Sequence, residues 1–494
     1  MTVLAIDQST SATKALLFDS SGQCLDHESR EHRQYYPRPG WVEHDAEEIW
    51  QNALSTLRAV IERHTARLGE IACLSLTNQR ETVVVFDRAT GKPLHPAIVW
   101  QCRRSDSLCA QHAAAGLGPL IQRKTGLLLD AYFSASKLQW LVREHPETAR
   151  RLADGSALIG TIDTYLIYRL TRGAVFATDV TNASRTLLFD LSRRDWDDGL
   201  CAIWEVPRRA LAEIRDCDAT FGETTLDGAL PRPLPIRGVL GDSQASLFAQ
   251  RCFTPGSAKI TFGTGTSVLL NVGAAPKFSS NGIASAVAWQ LGGEPTYAFE
   301  GIIISSAATL TWLRDQLGFV REIGELETLA SSVTDNGGVY LVPAFSGLGL
   351  PHWQPAARAA ITGLSGQSDR RHVARAALES IAYQIRDVLD ALRIEASLPL
   401  AEIRADGGPT ANRLLMQFTA DLTRTHLRVS AMAHGSALGA ALAGLLGSGV
   451  FQSVRELASI QREEIVYVPT MPVAQADMLH AGWKRAVRSV LPPA

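Results

Sequence analysis

Residues 3–19 read Val3-Leu4-Ala5-Ile6-Asp7-Gln8-Ser9-Thr10-Ser11-Ala12-Thr13-Lys14-Ala15-Leu16-Leu17-Phe18-Asp19, and the architecture of the chain follows from this stretch. Val3 to Ile6 is an apolar run of strand length, Asp7 to Thr13 is polar and small, and Lys14 to Asp19 reads as a returning strand. Two such runs around a polar tip make a strand-turn-strand unit. A third strand is expected near Cys24 to Arg30. Asp45 then opens a helix: it can cap the first turn, Glu48 stands three residues on, and Ile49, Ala53, Leu57, Val60 and Ile61 recur at helical spacing. Ile71 to Leu76 and Thr82 to Asp87 are further strands around Thr77-Asn78-Gln79-Arg80-Glu81. Strands first and helices after, in alternation, predict a mixed α/β sheet.

A similar opening returns in the second half. Lys259 to Phe262 is a strand, Gly263-Thr264-Gly265-Thr266-Ser267 a small polar turn, and Val268 to Val272 a strand going back. The pattern fits an internal duplication, and it fits two unrelated hairpins equally, because the two segments share little literal identity. Arg251 to Ser257 reads as the linker between halves, which divides the chain into residues 1–249 and 250–494. A cleft between the halves is the natural place for a ligand.

Composition narrows the function classes. The 494 residues are 46% hydrophobic and 20% charged, enough for two to four domains with cores of their own. A formal net charge of -2 argues against a nucleic-acid partner held by phosphate neutralisation. The seven cysteines are scattered without a C-x-x-C pair, as in a reducing cytoplasmic setting, and give no zinc pattern. Met1-Thr2 leads straight into a strand, so no secretion signal is expected. Ala437 to Phe451 is apolar but short and rich in Gly and Ala, which reads as a buried helix and not as membrane insertion.

Several turns carry residues able to do chemistry. In the first, hydroxyls and backbone N–H groups at a tight tip can cradle phosphate oxygens, Asp7 can hold a divalent cation through water, and Lys14 adds positive charge. Gly263 to Ser267 offers a second cradle, and Ala405-Asp406-Gly407-Gly408-Pro409-Thr410-Ala411-Asn412, between a strand and a helix, leaves room for a base or ribose. Each of these turns, taken alone, also fits an ordinary connector. Asp242 ends an apolar strand and starts a helix, where a carboxylate can take a hydroxyl proton or merely cap the helix. Arg80 and Glu81 can hold neighbouring hydroxyls by donating and accepting, and Trp100 can wall a pocket. Neither the P-loop nor the dinucleotide fingerprint is present.

Together the segments 37–45, 77–82, 98–104, 132–141, 178–185, 343–349 and 406–408 resemble, in family order, the FGGY family of carbohydrate kinases, and most of all its glycerol kinases. The resemblance implies a two-domain actin-like ATPase fold, each domain with a ribonuclease-H-like mixed sheet flanked by helices. It implies ATP and Mg²⁺ in the cleft and transfer of phosphate to a primary hydroxyl of glycerol, giving glycerol 3-phosphate. Carried over by position, Asp242 is the general base and Asp7 helps hold Mg²⁺. Arg80, Glu81, Trp100, Tyr132, Asp242 and Ser243 then line the substrate, while Thr10, Ser11, Ala12, Lys14, Thr264, Ala307, Gly408 and Asn412 meet the nucleotide. A homodimer or homotetramer is the expected assembly.

Some positions depart from the family's usual residues. Ser9 replaces a usual glycine, Ser243 a usual glutamine, and Ser267 a usual bulky aromatic; Ala307 and Thr311 replace a glycine and a glutamine near the adenine. The losses at Ser243 and Ser267 remove volume beside the substrate, so a four- or five-carbon polyol or ketose is the alternative acceptor. A nucleotide-binding regulator without catalysis is disfavoured by the joint presence of Asp7, Arg80, Glu81 and Asp242.

Overall fold

The computed structural model describes residues 1–279, 281–430, 432 and 434–492. Among them two large mixed sheets, of six and seven strands, carry the two halves. The first is built from β1 (Thr2–Gln8), β2 (Ala12–Asp19), β3 (Cys24–Glu31), β4 (Ile71–Asn78), β5 (Thr220–Thr224) and β6 (Leu234–Gly241), in the order β5-β6-β4-β1-β2-β3. The second comprises β7 (Ser257–Phe262), β8 (Thr266–Gly273), β9 (Ala284–Leu291), β10 (Glu294–Ile303), β11 (Glu402–Asp406), β12 (Leu427–Ser430) and β13 (Glu464–Tyr467), in the order β9-β10-β8-β7-β11-β12-β13.

The two orders are variations on one plan. In each, a strand pairs antiparallel with the strand that follows it in sequence, β1 with β2 and β7 with β8. On its other side it pairs parallel with a later strand, β4 or β11. A second parallel strand follows, β6 or β12, and an antiparallel edge strand closes the sheet, β5 or β13. The shared order favours the internal duplication over two unrelated hairpins. Both sheets are mixed with helices packed on them, as an actin-like two-domain ATPase fold requires.

Local chemistry explains the elements that matter for the site. The Asp45 carboxylate accepts from the backbone N–H of Glu47 and Glu48 and starts α1 (Ala46–Arg63), whose buried Ile49, Ala53, Leu57, Val60 and Ile61 face the first sheet. The strand β6 hands over at Gly241 to α2 (Asp242–Ala249). Further on lie α3 (Ala307–Asp315), α4 (Arg370–Ala396), α5 (Arg413–Thr423) and α6 (Gly435–Gly447). Among the described residues no helix is long and apolar enough to cross a membrane, and α6 is buried between α2 and the first sheet.

Glycine makes that last packing close. A Cβ on Gly439 would fall 1.8 Å from the carbonyl oxygen of Ala245 in α2, and one on Gly444 would fall 2.2 Å from the Ser75 hydroxyl in β4. Backbone therefore meets backbone where α6 crosses α2, and that contact fixes the height of α2 above both sheets. Gly439→Ala is expected to lever α6 from α2, destabilise the fold by about 1–3 kcal/mol and lower turnover with it. Thermal melting of the variant beside the parent checks this; an unchanged melting temperature contradicts it.

Candidate active site

Three neighbouring strands deliver one group each to the same edge of the first sheet. In the parallel registers Asp7 lies beside Thr77, Leu240 beside Thr77 and Gly241 beside Asn78, so β1, β4 and β6 end together. Asp7 is the penultimate residue of β1, the segment Gln79-Arg80-Glu81 leaves β4, and Asp242 follows β6. The carboxyl ends of adjacent parallel strands are where open α/β sheets place their ligands.

Arg80 is the hub of this edge. Its Nε lies 3.0 Å from Asp242 Oδ1, its Nη1 donates to Gln244 Oε1 at 3.2 Å, and its Nη2 donates to Glu300 Oε1 at 2.8 Å. Gly241 lets the arginine pass, because a Cβ there would fall 2.8 Å from the Arg80 stem. Glu81, held at φ 62°, turns away to a different partner, Arg185, at 2.6 Å. Arg185 also reaches Glu300 at 2.6 Å. Arg80 and Glu81 are thus not a pair with each other; each is matched by a residue distant in sequence. Glu300 stands on β10 of the second half, so the network ties the halves together.

Electrostatics follow from burial. Burial opposes ionisation of Glu300, but Arg185 and Arg80 outweigh it and hold its carboxyl down at about 2. Burial pushes the Glu81 carboxyl up, against the pull of Arg185 and Arg80. Asp7 rises to about 6, chiefly through burial, with Lys14 pulling it down and Asp242 pushing it up. Side chains of Arg80, Glu81, Arg185 and Glu300 are 6% exposed or less, whereas Asp242 is 38% exposed. Within this network Asp242 is the open carboxylate. It does not cap α2; Gly241 is the cap residue, and Asp242 Oδ1 accepts from the N–H of Ser243 at 2.6 Å and from Arg80.

An aromatic wall stands beside the hub. Trp100 and Tyr132 meet edge to face with ring centroids 5.3 Å apart. The Trp100 indole N–H donates to the Thr10 hydroxyl at 3.0 Å, linking the wall to the first polar turn. Tyr132 is presented by a loop whose carbonyls, at Ala131, Tyr132 and Phe133, all accept from the buried Lys137 ammonium.

The second half brings its turns together in the same manner. Thr261 pairs with Asp406, so β7 and β11 end side by side. Ala307 and Ala308 at the start of α3 donate to the carbonyls of Gly263 and Thr264, which seats that helix on the Gly-Thr-Gly turn. Gly407, at φ +100°, lies so near Phe262 that a Cβ would fall 1.9 Å from its carbonyl oxygen. Thr264 and Gly408 are exposed at these tips. Asn412 caps α5, its Oδ1 accepting from Leu415 N at 2.8 Å, which leaves its amide N–H₂ as the group free to meet a ligand. In the first turn Ser11 is exposed, Ala12 is buried and Lys14 is partly buried.

The donor set suits a nucleotide and a hard cation. Asp7 and Asp242 repel each other in a half-buried setting, which an intervening cation would relieve. Asp406 Oδ1 is buried without a hydrogen-bond partner, while its Oδ2 accepts from Gln250 at 2.8 Å. Among the described residues no cluster of three or more metal-ligating side chains occurs, and Mg²⁺ needs none, since it keeps waters and takes phosphate oxygens. Glu300, Arg185 and Lys259 were not singled out from sequence. Lys259 is buried on β7, where burial lowers its pKa against the charges of Asp406 and Asp242. Each sits mid-strand or in a polar run with no motif of its own, although Arg185 lies in a stretch that carries the family resemblance.

Comparisons with known proteins agree with the fold. Residues 2–249 match the family model described as the N-terminal domain of the FGGY family of carbohydrate kinases, and residues 258–448 match its C-terminal domain. The chain is 45% identical over 492 residues to glycerol kinase 1 of Thermotoga maritima, covering 99% of this chain and 100% of that one. It is 46% identical over 490 residues to the glycerol kinase of Delftia acidovorans, covering 98% of each. Among solved structures, the glycerol kinase of Plasmodium falciparum with ADP superposes with a TM-score of 0.95 at 35% identity, covering 100% of this chain and 99% of that one. A xylulose kinase of Brucella ovis, at 22% identity and a TM-score of 0.89 over 99% of this chain and 100% of that one, shares the fold.

Glu300→Gln removes the anion between two buried guanidiniums. The ordinary glutamate value of 4.5 falls to about 2 in the folded state, so ionised Glu300 stabilises the fold above pH 4.5 and loses that contribution as the pH falls toward 2. The shift corresponds to about 3 kcal/mol. The variant is expected to melt well below the parent near neutral pH, with the gap narrowing below about pH 4.5. Melting curves across that range check it; a gap that does not change with pH contradicts it.

Proposed function

The chain belongs to the FGGY family of carbohydrate kinases, and from that membership we propose that it transfers the terminal phosphate of ATP to a primary hydroxyl of glycerol, giving glycerol 3-phosphate and ADP. It is an ATP-dependent phosphotransferase with an alcohol acceptor. The observation that carries the reading is the exposed Asp242 carboxylate held on the otherwise buried Arg80–Glu300–Arg185–Glu81 network.

Each residue then has a task. Asp242 takes the proton of the attacking hydroxyl; since Oδ1 already serves Ser243 N–H and Arg80, Oδ2 is the oxygen that receives it. Its orientation matters more than its basicity, because phosphoryl transfer is loose and the proton leaves late. Arg80 donates to one substrate hydroxyl and Glu81 accepts from its neighbour, while Trp100 and Tyr132 pack on the carbon chain. Ser243, next to the base, borders the far end of the acceptor. Thr10, Ser11, Ala12 and Lys14 meet the phosphates from one side; Thr264, Ala307, Gly408 and Asn412 hold the nucleotide from the other. Residues 1–249 thus hold the polyol and part of the phosphate site, and residues 250–494 the nucleotide. Asp7 would help hold Mg²⁺, which when bound would neutralise phosphate charge. The enzyme works in the cytoplasm as a homodimer or homotetramer.

A longer acceptor is favoured by one observation. The Ser267 hydroxyl is buried without a hydrogen-bond partner, which a further hydroxyl of a four- or five-carbon polyol or ketose would supply. An ADP-release assay with glycerol beside a panel of such compounds separates the two. Glycerol is expected to give the highest kcat/KM; a longer sugar far ahead of it overturns the choice. Asp242→Asn is expected to lower turnover by about 10²-fold or more while ATP still binds. Unchanged turnover removes Asp242 from the role of base.

A further inference from the structure

The segment Thr178-Asp179-Val180-Thr181-Asn182-Ala183-Ser184-Arg185 touches no expected ligand, yet it holds three parts of the site at once. It forms a strand end and the short helix Val180–Ala183. The Asp179 carboxylate accepts from Thr181 N at 2.7 Å, Asn182 N at 3.1 Å and Asn182 Nδ2 at 2.7 Å. That locks the Thr181 and Asn182 side chains into fixed directions.

Each side chain then braces a different strand end. Thr181 Oγ1 accepts from Gly241 N at 2.8 Å, the residue immediately before Asp242. The amides of Asn182 and Asn78 exchange two hydrogen bonds of 3.0 Å each, and Asn78 is the last residue of β4 before Gln79-Arg80-Glu81. Asn78 also donates to Gln79 O at 2.8 Å. Arg185 grips Glu81 and Glu300. All eight residues are buried, so none of these bonds competes with water.

We propose that this segment is a positioning brace for phosphoryl transfer, with Thr181 aiming Asp242 through the Gly241 amide and Asn182 aiming the Arg80-Glu81 clamp through Asn78. The inference rests on Asp242 being the base. A valine at position 181 keeps the β-branched shape but offers Gly241 no acceptor, so the turn into α2 relaxes and the carboxylate swings from its line. An alanine at position 182 releases the end of β4 without touching Gly241. The two defects therefore differ in kind.

The experiment measures kcat and KM for glycerol and for ATP, together with melting temperatures, for the parent, Thr181→Val, Thr181→Ser, Asn182→Ala and Asp242→Asn. Thr181→Val is expected to lower kcat about 10-fold with the KM for ATP unchanged, since small misplacements of a reacting group cost that much or more. Thr181→Ser, which restores the acceptor, is expected to recover most of it. Asn182→Ala is expected to raise the KM for glycerol more than it lowers kcat. The brace is refuted if Thr181→Val and Asn182→Ala are less stable but keep the parent's kinetic constants, or if Thr181→Ser is folded yet no more active than Thr181→Val. Retained turnover in Asp242→Asn would instead refute the base assignment, which distinguishes that failure from failure of the brace.

Discussion

Glu300 must be neutralised where it stands. An uncompensated charge in a protein interior costs several kcal/mol, and Glu300 lies in the seam between the halves with both carboxylate oxygens engaged by guanidiniums. Arg80 and Arg185 have the same need, and neither has water to fall back on. The arrangement closes only when β10 of the second half approaches the ends of β4 and β6 in the first. Arg80, Glu81, Asp242 and the seam between the halves are therefore one electrostatic unit.

This unit explains why the exposed Asp242 has a direction. Its Oδ1 is shared by Arg80 and the Ser243 amide, its backbone is pinned one residue earlier by Thr181, and its helix is set in height by backbone contact with α6 at Gly439. Rigid placement of this kind suits a reaction in which little covalent work falls to the protein. Aligning a hydroxyl and neutralising phosphate charge are the main tasks, and both depend on geometry. The repetition of strand order in the two sheets supplies two sets of polar strand ends, one in each half.

Much of this was legible in the chain itself. The strand-like runs around Asp7 to Thr13 and around Gly263 to Ser267 announced the two opening hairpins, because two such runs on either side of a short polar tip have few other solutions. Asp45 announced α1, and the short Gly- and Ala-rich run from Ala437 announced a buried helix. The position of Asp242 between strand and helix was equally plain, as was the overall likeness of seven segments to one kinase family. Duplication was not decidable from the letters, since strand order is a property of hydrogen bonding between segments far apart in sequence.

What the sequence by itself determined was therefore the elements, their order and the residue types at each turn, since these depend on local propensity and on spacing along one chain. Only the tertiary structure decided that Arg80 and Glu81 part company, one to Glu300 and Asp242, the other to Arg185. It alone decided that Thr181 and Asn182 act on strand ends 60 and 104 residues away. Partners of a buried charge or amide are chosen by proximity after folding, and no periodicity in the chain records them.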